Sequence, residues 1–323
     1  MVKAIRVTAN GGPEVLNMGE IDVPAPGPGE ISVRHTAIGV NFIDTYFRSG
    51  LYKTALPFTP GQEAAGTVEA VGDGVTEFKP GDRVVYLHTP GAYAEKRNVP
   101  AAKAVPIPNG VSDEVAAASL LKGLTAQYLL RRTFKVGPEH TILAHAAAGG
   151  VGLILGQWAK HLRATVIGTA GGPDKVALAL KHGYDHVIDY RADDFVARTL
   201  DLTHGARVDV VYDSVGKDTF PGSLDVLKPL GLWVAFGQSS GPIPPFDIGI
   251  LNAKGSLFAT RPTVFHYNAT RDALLASARE MFDLVASGVI TVEVNQRFPL
   301  DQAKAAHEAL ESRATTGATV LIP

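Results

Sequence analysis

The chain has 323 residues, of which 46% are hydrophobic and 19% charged, and its formal net charge is −2. This composition is typical of a globular protein, and the length predicts two domains of roughly 150 residues each. The absence of cysteine excludes disulfides, thiolate metal sites and cysteine nucleophiles, and it suits the reducing cytoplasm, which is the predicted location. The near-neutral charge argues against nucleic acid as the principal ligand.

The amino-terminal third predicts a compact β-rich domain. Residues 1–7 alternate like a strand and do not resemble a signal peptide. Up to about residue 110, short β-rich runs are punctuated by prolines and glycines. The most apolar window, 141–159, is better explained by a strand, a glycine turn and a helix than by a membrane span, because it contains His145 and Gln157.

Beyond Ser112 the pattern becomes helical and then alternating. Residues 116–130 predict one or two helices, and from 141 to about 260 strand-like and helix-like runs alternate. This alternation predicts a parallel sheet flanked by helices. The predicted strands are 141–144, 164–169, 186–189, 208–213, 232–236 and 256–259. The tail predicts helices at 272–285 and 301–312 and a strand at 318–322, which return to complete the first domain.

The most informative motif is the glycine-rich run 146–152, Ala-Ala-Ala-Gly-Gly-Val-Gly, between a predicted strand and a predicted helix. Glycine permits backbone angles that side chains forbid, and it lets bare N–H groups approach an anion. A strand, tight turn and helix in this order can lay a pyrophosphate against a helix N-terminus. An ordinary structural turn is the alternative, and the further strands that follow favour dinucleotide binding.

The end of the second predicted strand bears on which dinucleotide binds. An NAD site usually has a carboxylate about 20 residues beyond the glycines, which bonds the ribose 2′-hydroxyl. Here the corresponding stretch 167–172 is small and uncharged, and Lys175 follows it. The missing acid leaves room for a 2′-phosphate, and a lysine offers it a charge-assisted bond. We therefore predict NADPH rather than NADH, with a solvated helix lysine as the alternative role of Lys175.

Three further segments contain residues suited to binding or catalysis. The runs 213–216 and 236–239 follow predicted strands, where ligands of parallel sheets bind. The run 41–52 is rich in polar and aromatic residues and could line a pocket for a flat carbonyl compound. An ordinary helix with a surface Asp/Arg pair explains that run equally well, so both interpretations stay open.

Metal and hydrolase chemistry find no support in the sequence. Gln62, in the run Gly61-Gln62-Glu63, is a poor zinc ligand, and the histidines show no close ligand spacing. His145 is expected to pack beneath the glycine turn. No serine lies in a Gly-x-Ser-x-Gly elbow.

Together these motifs resemble the quinone oxidoreductase branch of the zinc-free medium-chain dehydrogenases/reductases, which includes bacterial NADPH:quinone reductases and the zeta-crystallins. The likeness runs essentially end to end and is carried by the runs 11–16, 41–52, 122–125, 147–152, 211–216, 255–257, 260–262 and 311–315. It implies an α/β fold in which residues 1–122 and 262–323 form a GroES-like substrate domain. A Rossmann domain with a doubly wound parallel sheet, residues 123–261, is inserted between them. It also implies a homodimer whose Rossmann sheets join edge to edge.

The resemblance also implies the site residues. Asn41, Tyr46 and Tyr52 would be catalytic and line the nicotinamide and quinone pocket. Where zinc-dependent relatives carry Gly-His-Glu, this chain has Gly61-Gln62-Glu63, so no metal is expected. The implied cofactor-binding residues are Phe42, Thr45, Tyr128, Gly149, Gly150, Val151, Gly172, Lys175, Tyr190, Ser214, Phe236, Gly237, Gln238, Ser239, Arg261 and Arg313.

The function that this resemblance implies is NADPH-dependent reduction of a quinone by hydride transfer from nicotinamide C4. One alternative is reduction of an enone or alkenal C=C bond on the same fold. A second is a non-enzymatic role, RNA-binding or structural, to which zeta-crystallin-like proteins have been recruited. The sequence does not choose the proton donor among Tyr46, Tyr52 and solvent, and it does not identify the natural substrate.

Overall fold

The computed structural model describes residues 1–323, and the chain divides into two compact units. The first contains Met1–Lys122, Ala269–Ala286 and Val292–Pro323, and the second contains Gly123–Asn268 and Ser287–Thr291. The chain thus re-enters the first unit at Ala269 and not at Pro262, because the short helix before it packs in the second unit. There the Tyr267 ring stacks on the Tyr128 ring, with centroids 4.4 Å apart.

The chain contains fifteen strands, numbered here in chain order. The first unit holds β1 (Val2–Arg6), β2 (Asn17–Ile21), β3 (Glu30–Val40), β4 (Glu63–Val71), β5 (Arg83–Leu87), β6 (Lys96–Pro100) and β7 (Ala104–Pro106). The second unit holds β8 (Thr141–Ala144), β9 (Thr165–Ala170), β10 (His186–Asp189), β11 (Val208–Asp213), β12 (Leu227–Ala235) and β13 (Phe258–Thr260). The last two strands belong to the first unit again, β14 (Val294–Pro299) and β15 (Ala318–Ile322).

The α-helices are numbered in the same way. They are α1 (Phe42–Arg48), α2 (Asp113–Tyr128), α3 (Gly150–His161), α4 (Pro173–Lys181), α5 (Phe195–Leu202), α6 (Gly222–Asp225), α7 (Gly249–Ala253), α8 (Val264–Tyr267), α9 (Arg271–Ala286) and α10 (Ala303–Glu311). A π-helical turn, Leu129–Thr133, continues α2. No helix of the chain combines the length and the apolar character that a membrane crossing requires.

The sheet of the first unit is mainly antiparallel. Its strand order is β14-β15-β3-β4-β5-β7, and β6 also pairs with β3. The carboxyl-terminal strand β15 pairs with the end of β3, with Thr319 opposite Val40, so the tail completes this unit as the pattern predicts. Apolar side chains of this sheet form a buried core together with those of α10.

The second unit is a doubly wound parallel sheet, which confirms the fold class. Its strand order is β10-β9-β8-β11-β12-β13, so the order reverses between β8 and β11. Ligands of such sheets bind at that reversal, outside the carboxyl ends of the strands. β12 begins at Leu227, ahead of the predicted 232, because Lys228, Pro229 and Gly231 interrupt the apolar pattern at its start. β13 starts at Phe258 and not at Ser256, whose φ of 55° is left-handed.

Candidate active site

The glycine turn lies at the carboxyl end of β8 and opens α3. Gly149 is the N-cap residue, and its N–H donates to the Ala146 carbonyl at 3.0 Å, which closes the turn. A Cβ on Gly152 would lie 2.4 Å from that same carbonyl oxygen, so only glycine fits there. The N–H groups of Gly150 and Val151 lie in the first helical turn, where a helix has no acceptor for them. These free donors and the helix dipole form an anion-binding site.

His145 directly precedes the glycine turn, and its side chain is held in the interior. It is buried, its Nδ1 lies 3.0 Å from the Thr169 hydroxyl, and its Nε2 lies 3.0 Å from the Ser223 hydroxyl. Burial lowers its pKa below the ordinary value. The imidazole is therefore neutral, and it links the residue before the glycine turn to Thr169 of β9 and Ser223 of α6.

Asp213, the last residue of β11, organises the loop that contains Ser214. Its carboxylate is fully buried, and Oδ1 accepts hydrogen bonds from the N–H groups of Val215 at 2.9 Å and Gly216 at 3.0 Å. The Thr219 hydroxyl lies 2.8 Å from Oδ2, and the Trp233 indole donates to the same oxygen at 3.2 Å. Because all these donors converge on one buried charge, the loop after β11 is held rigidly.

The loop after β12 packs directly on the loop after β11. Ser239 donates its N–H to the Ser214 carbonyl at 3.1 Å, and a Cβ on Gly237 would lie 2.8 Å from the Ser214 Cα. Arg261 donates to the carbonyls of Ala235 and Gly237, each at 2.7 Å. Its guanidinium therefore braces this loop through the protein backbone. The remaining predicted residues of the loop, Phe236 and Gln238, are partly buried beside it.

The turn after β9 holds several residues predicted at the 2′-phosphate. Gly172 has φ +95°, and its N–H donates to Asp189 Oδ1 at 2.9 Å. This N–H is therefore already engaged, and the glycine serves the turn geometry. Lys175 lies in the first turn of α4 and is partly buried. Tyr190 is 42% exposed, and its hydroxyl would lie 2.5 Å from a Cβ on Gly171, so the phenol covers this turn.

Two other predicted cofactor residues, Tyr128 and Arg313, are not part of these loops. Tyr128 is buried, and its ring is covered on one side by Tyr267. Burial raises the pKa of its hydroxyl. Arg313 is exposed just beyond α10, in the first unit, with a φ of 59°.

In the first unit, a buried ion pair orients Asn41. The Asn41 side-chain N–H₂ donates to Glu63 Oε1 at 2.8 Å, and Lys122 Nζ lies 3.2 Å from the same oxygen. The other carboxylate oxygen accepts the Leu121 N–H at 2.6 Å. Glu63 is fully buried, so its charge depends on these partners. One N–H of Asn41 is thus committed to Glu63 before any substrate binds.

A second buried network holds the backbone at the start of α1. Asp44 Oδ2 accepts the Asn41 N–H at 2.9 Å and the Tyr93 hydroxyl at 3.0 Å. Burial raises the pKa of Asp44 to about 7. His307 Nε2 lies 3.0 Å from the Tyr93 hydroxyl, and its Nδ1 lies 3.0 Å from an Arg48 N–H. Since Arg48 can only donate, Nδ1 is the acceptor and Nε2 carries the proton.

This network corrects the surface Asp/Arg pair considered from the sequence. Arg48 is buried and pairs with Glu311 at 2.6 Å, while Asp44 is buried and bonds Tyr93. Burial and the Arg48 charge lower the pKa of His307 to about 3, so this imidazole is neutral. The two charged residues of α1, Asp44 and Arg48, therefore make their interactions in the interior of the first unit and not at its surface.

The predicted aromatic residues form one cluster at α1. The Tyr46 and Tyr52 rings meet edge to face with centroids 5.3 Å apart, and Phe42 lies 6.2 Å from Tyr46. Thr45 is buried and donates its hydroxyl to the Phe42 carbonyl at 2.7 Å. Tyr46 is 9% exposed, whereas Tyr52 is only partly buried. Tyr52 is therefore the more accessible phenol for a substrate.

The structure contains no group of three or more His, Cys, Asp or Glu side chains that could hold a metal ion. Gln62 is buried, and neither polar atom of its side chain has a hydrogen-bond partner.

Sequence reasoning missed Glu63, Asp213 and the Tyr93–His307 pair as supports of the site. Asp213 carried a usable signal, an acid that directly ends an apolar strand. The Tyr93–His307 pair joins residues too far apart in sequence for any local pattern to reveal it.

Comparisons with known proteins agree with this architecture. Residues 27–109 match the model of the alcohol dehydrogenase GroES-like domain, and residues 182–321 match that of zinc-binding dehydrogenases. A quinone oxidoreductase of Pseudomonas aeruginosa is 52% identical over the whole of both chains. The crystal structure of Escherichia coli quinone oxidoreductase complexed with NADPH superimposes with a TM-score of 0.98 at 52% identity, covering 99% of this chain and 100% of that one. A 2-haloacrylate reductase of Burkholderia is 45% identical over 100% of this chain and 99% of its own.

A GroES-like unit joined to a doubly wound dinucleotide-binding unit defines the class of medium-chain dehydrogenases/reductases. Within that class, the chain belongs to the quinone oxidoreductase family.

Proposed function

We propose that the protein is an NADPH-dependent quinone reductase that transfers hydride from nicotinamide C4 to a quinone without a metal. The observation that carries this proposal is a sequence identity of 52%, over the full length of the chain, to quinone oxidoreductases, one of which has been solved with NADPH bound. Quinone-dependent loss of the reduced-nicotinamide absorbance tests it directly.

The second unit fits the cofactor. The free N–H donors of Gly150 and Val151 suit the pyrophosphate, and the small, uncharged turn before Lys175 suits a 2′-phosphate. The loops holding Ser214 and Gly237 are fixed by Asp213 and Arg261, so they offer a preformed edge along the dinucleotide. When bound, NADPH supplies the hydride, and the protein contributes orientation and exclusion of water.

The first unit supplies the groups for the quinone. A quinone is a strong acceptor, so its reduced oxygens need only modest stabilisation. The Asn41 N–H that is not bonded to Glu63 and the hydroxyls of Tyr46 and Tyr52 donate hydrogen bonds to them. Without substrate, the Asn41 side-chain nitrogen also makes a long contact of 3.5 Å with the Gly39 carbonyl. Tyr52, the more accessible phenol, or solvent delivers the proton that completes the hydroquinone.

Reduction of an activated C=C bond is the second candidate, favoured by the 45% identity to a 2-haloacrylate reductase. That reaction needs a proton delivered at carbon, whereas a reduced quinone oxygen takes one readily from water. We therefore expect Tyr52→Phe to lower enone turnover about 100-fold and quinone turnover less than tenfold, the scale of general-acid catalysis. Steady-state rates of one variant with both substrates provide the internal control. Equal losses would remove the proton-donor role from Tyr52.

We further propose a homodimer, in a cytoplasmic enzyme, formed through the β13 edge. This strand pairs only with β12, and Phe258, Ile248 and Leu230 in this unit are 60%, 76% and 66% exposed. In a symmetric edge-to-edge dimer each Phe258 would face the partner copy, so Phe258→Glu sets like charges together and should yield monomers. Sedimentation velocity measures this, with Leu51→Glu, 44% exposed in the first unit, as the control. A monomeric wild-type protein at micromolar concentration would contradict the proposal.

A further inference from the structure

An arginine that the sequence did not suggest lies over the turn after β9. A Cβ built on Gly172 would lie 3.3 Å from Arg191 Nη1, and one built on Gly171 would lie 3.2 Å from Arg191 Nε. The guanidinium therefore covers both glycines. Arg191 is exposed, and its side chain makes no hydrogen bond or ion pair within the protein. Only its backbone N–H is used, which donates to Asp189 Oδ1 at 3.0 Å.

The charge of Asp189 is a reason why a phosphate bound at this turn would need a cation in addition to Lys175. Oδ1 of this residue accepts the N–H groups of both Gly172 and Arg191, which closes the turn. Those two bonds and the nearby Arg191 charge hold the pKa of Asp189 below its ordinary value, so it is a carboxylate at neutral pH. A fixed negative charge at this strand end would repel a phosphate that approaches the turn. The Arg191 guanidinium lies where it offsets that charge.

We propose that Arg191 is a cofactor-specificity residue whose guanidinium binds the 2′-phosphate of NADPH, together with Lys175 and Tyr190, while Asp189 only braces the turn. This inference rests on the proposed function as an NADPH-dependent enzyme. A guanidinium presents a planar fork that binds two phosphate oxygens at once, which an ammonium cannot do. Because the Arg191 side chain makes no direct hydrogen bond within the protein, binding the phosphate breaks none.

The test measures binding of 2′,5′-ADP and 5′-AMP by isothermal titration calorimetry, without substrate turnover. Arg191→Gln should weaken 2′,5′-ADP binding about tenfold or more and leave 5′-AMP binding unchanged, since only the first ligand has the 2′-phosphate. Asp189→Asn keeps the acceptor oxygen of the turn but removes the charge, so it should strengthen 2′,5′-ADP binding. The control is Arg279→Gln, another exposed arginine without a partner, on α9.

The outcomes separate this inference from the proposed function. If the wild-type protein prefers 2′,5′-ADP over 5′-AMP and Arg191→Gln keeps that preference, the role of Arg191 is wrong and NADPH dependence stands. If the wild-type protein shows no preference, NADPH specificity and the role of Arg191 fail together. A loss of 5′-AMP binding in Arg191→Gln would indicate that the residue shapes the turn, and this too would overturn the proposal. Arg191→Lys, which keeps the charge but loses the fork, should give an intermediate 2′,5′-ADP affinity.

Discussion

Replacing Asp213 with alanine should lower the free energy of unfolding by at least about 3 kcal/mol, because several buried donors each lose an acceptor worth about 1–3 kcal/mol. The donors include the N–H groups of Val215 and Gly216, the Thr219 hydroxyl and the Trp233 indole. The same change should free the loop holding Ser214 and so weaken NADPH binding. Chemical denaturation measures the first effect, and Trp233 fluorescence in the native state reports the changed indole environment.

The matched control is Asp193→Ala, an exposed aspartate whose nearest cation, Arg198, is 3.9 Å away. This substitution should change the free energy of unfolding by no more than about 0.5 kcal/mol, as most surface substitutions do. If Asp213→Ala lowers the free energy of unfolding by less than about 1 kcal/mol, the carboxylate does not organise the loop. The conclusion that this loop is rigid would then be wrong.

Replacing Lys175 with alanine should raise the Michaelis constant for NADPH roughly 10- to 100-fold, the loss expected for a hydrogen bond to a charged group. Turnover at saturating NADPH should change little, since the 2′-phosphate is remote from the reacting nicotinamide carbon. Kinetics with NADH should be unaffected because that cofactor lacks the phosphate. Initial rates over a range of each cofactor measure all three effects.

Lys181→Ala provides the control, since Lys181 is an exposed lysine at the other end of α4. It preserves the phosphate site while removing the same charge from the same helix. Equal losses with NADPH and NADH in the Lys175 variant would contradict the assignment of this lysine to the phosphate.

Local signals explain what the sequence predicted well. The glycine turn and the strand before it depend on residues adjacent in the chain, and β8 lies at Thr141–Ala144 as predicted. β11 also matches, because a buried parallel strand reads as a short apolar run. β10 matches too, although it is an edge strand in which only Ile188 is buried. β13 was misplaced because the left-handed φ of Ser256 depends on how the chain enters the sheet, which composition does not encode.

The parts that escaped sequence reasoning depend on contacts between distant residues. Glu63 meets Lys122 only because β4 and α2 pack together, and Tyr93 meets His307 from the carboxyl-terminal helix. The engagement of the Gly172 N–H by Asp189 likewise requires β9 and β10 to be neighbours. A sequence pattern can therefore predict which residues form a site, but it does not show which of their N–H groups are already hydrogen-bonded within the protein.

The most direct test follows the reduced-nicotinamide absorbance of the purified protein with NADPH or NADH across a panel of quinones and enones. Rapid oxidation of NADPH by quinones, with much slower oxidation of NADH, is the predicted result. Turnover of enones alone would keep the fold and cofactor but make the protein a C=C reductase. Tight NADPH binding without turnover of any quinone would contradict the proposed function.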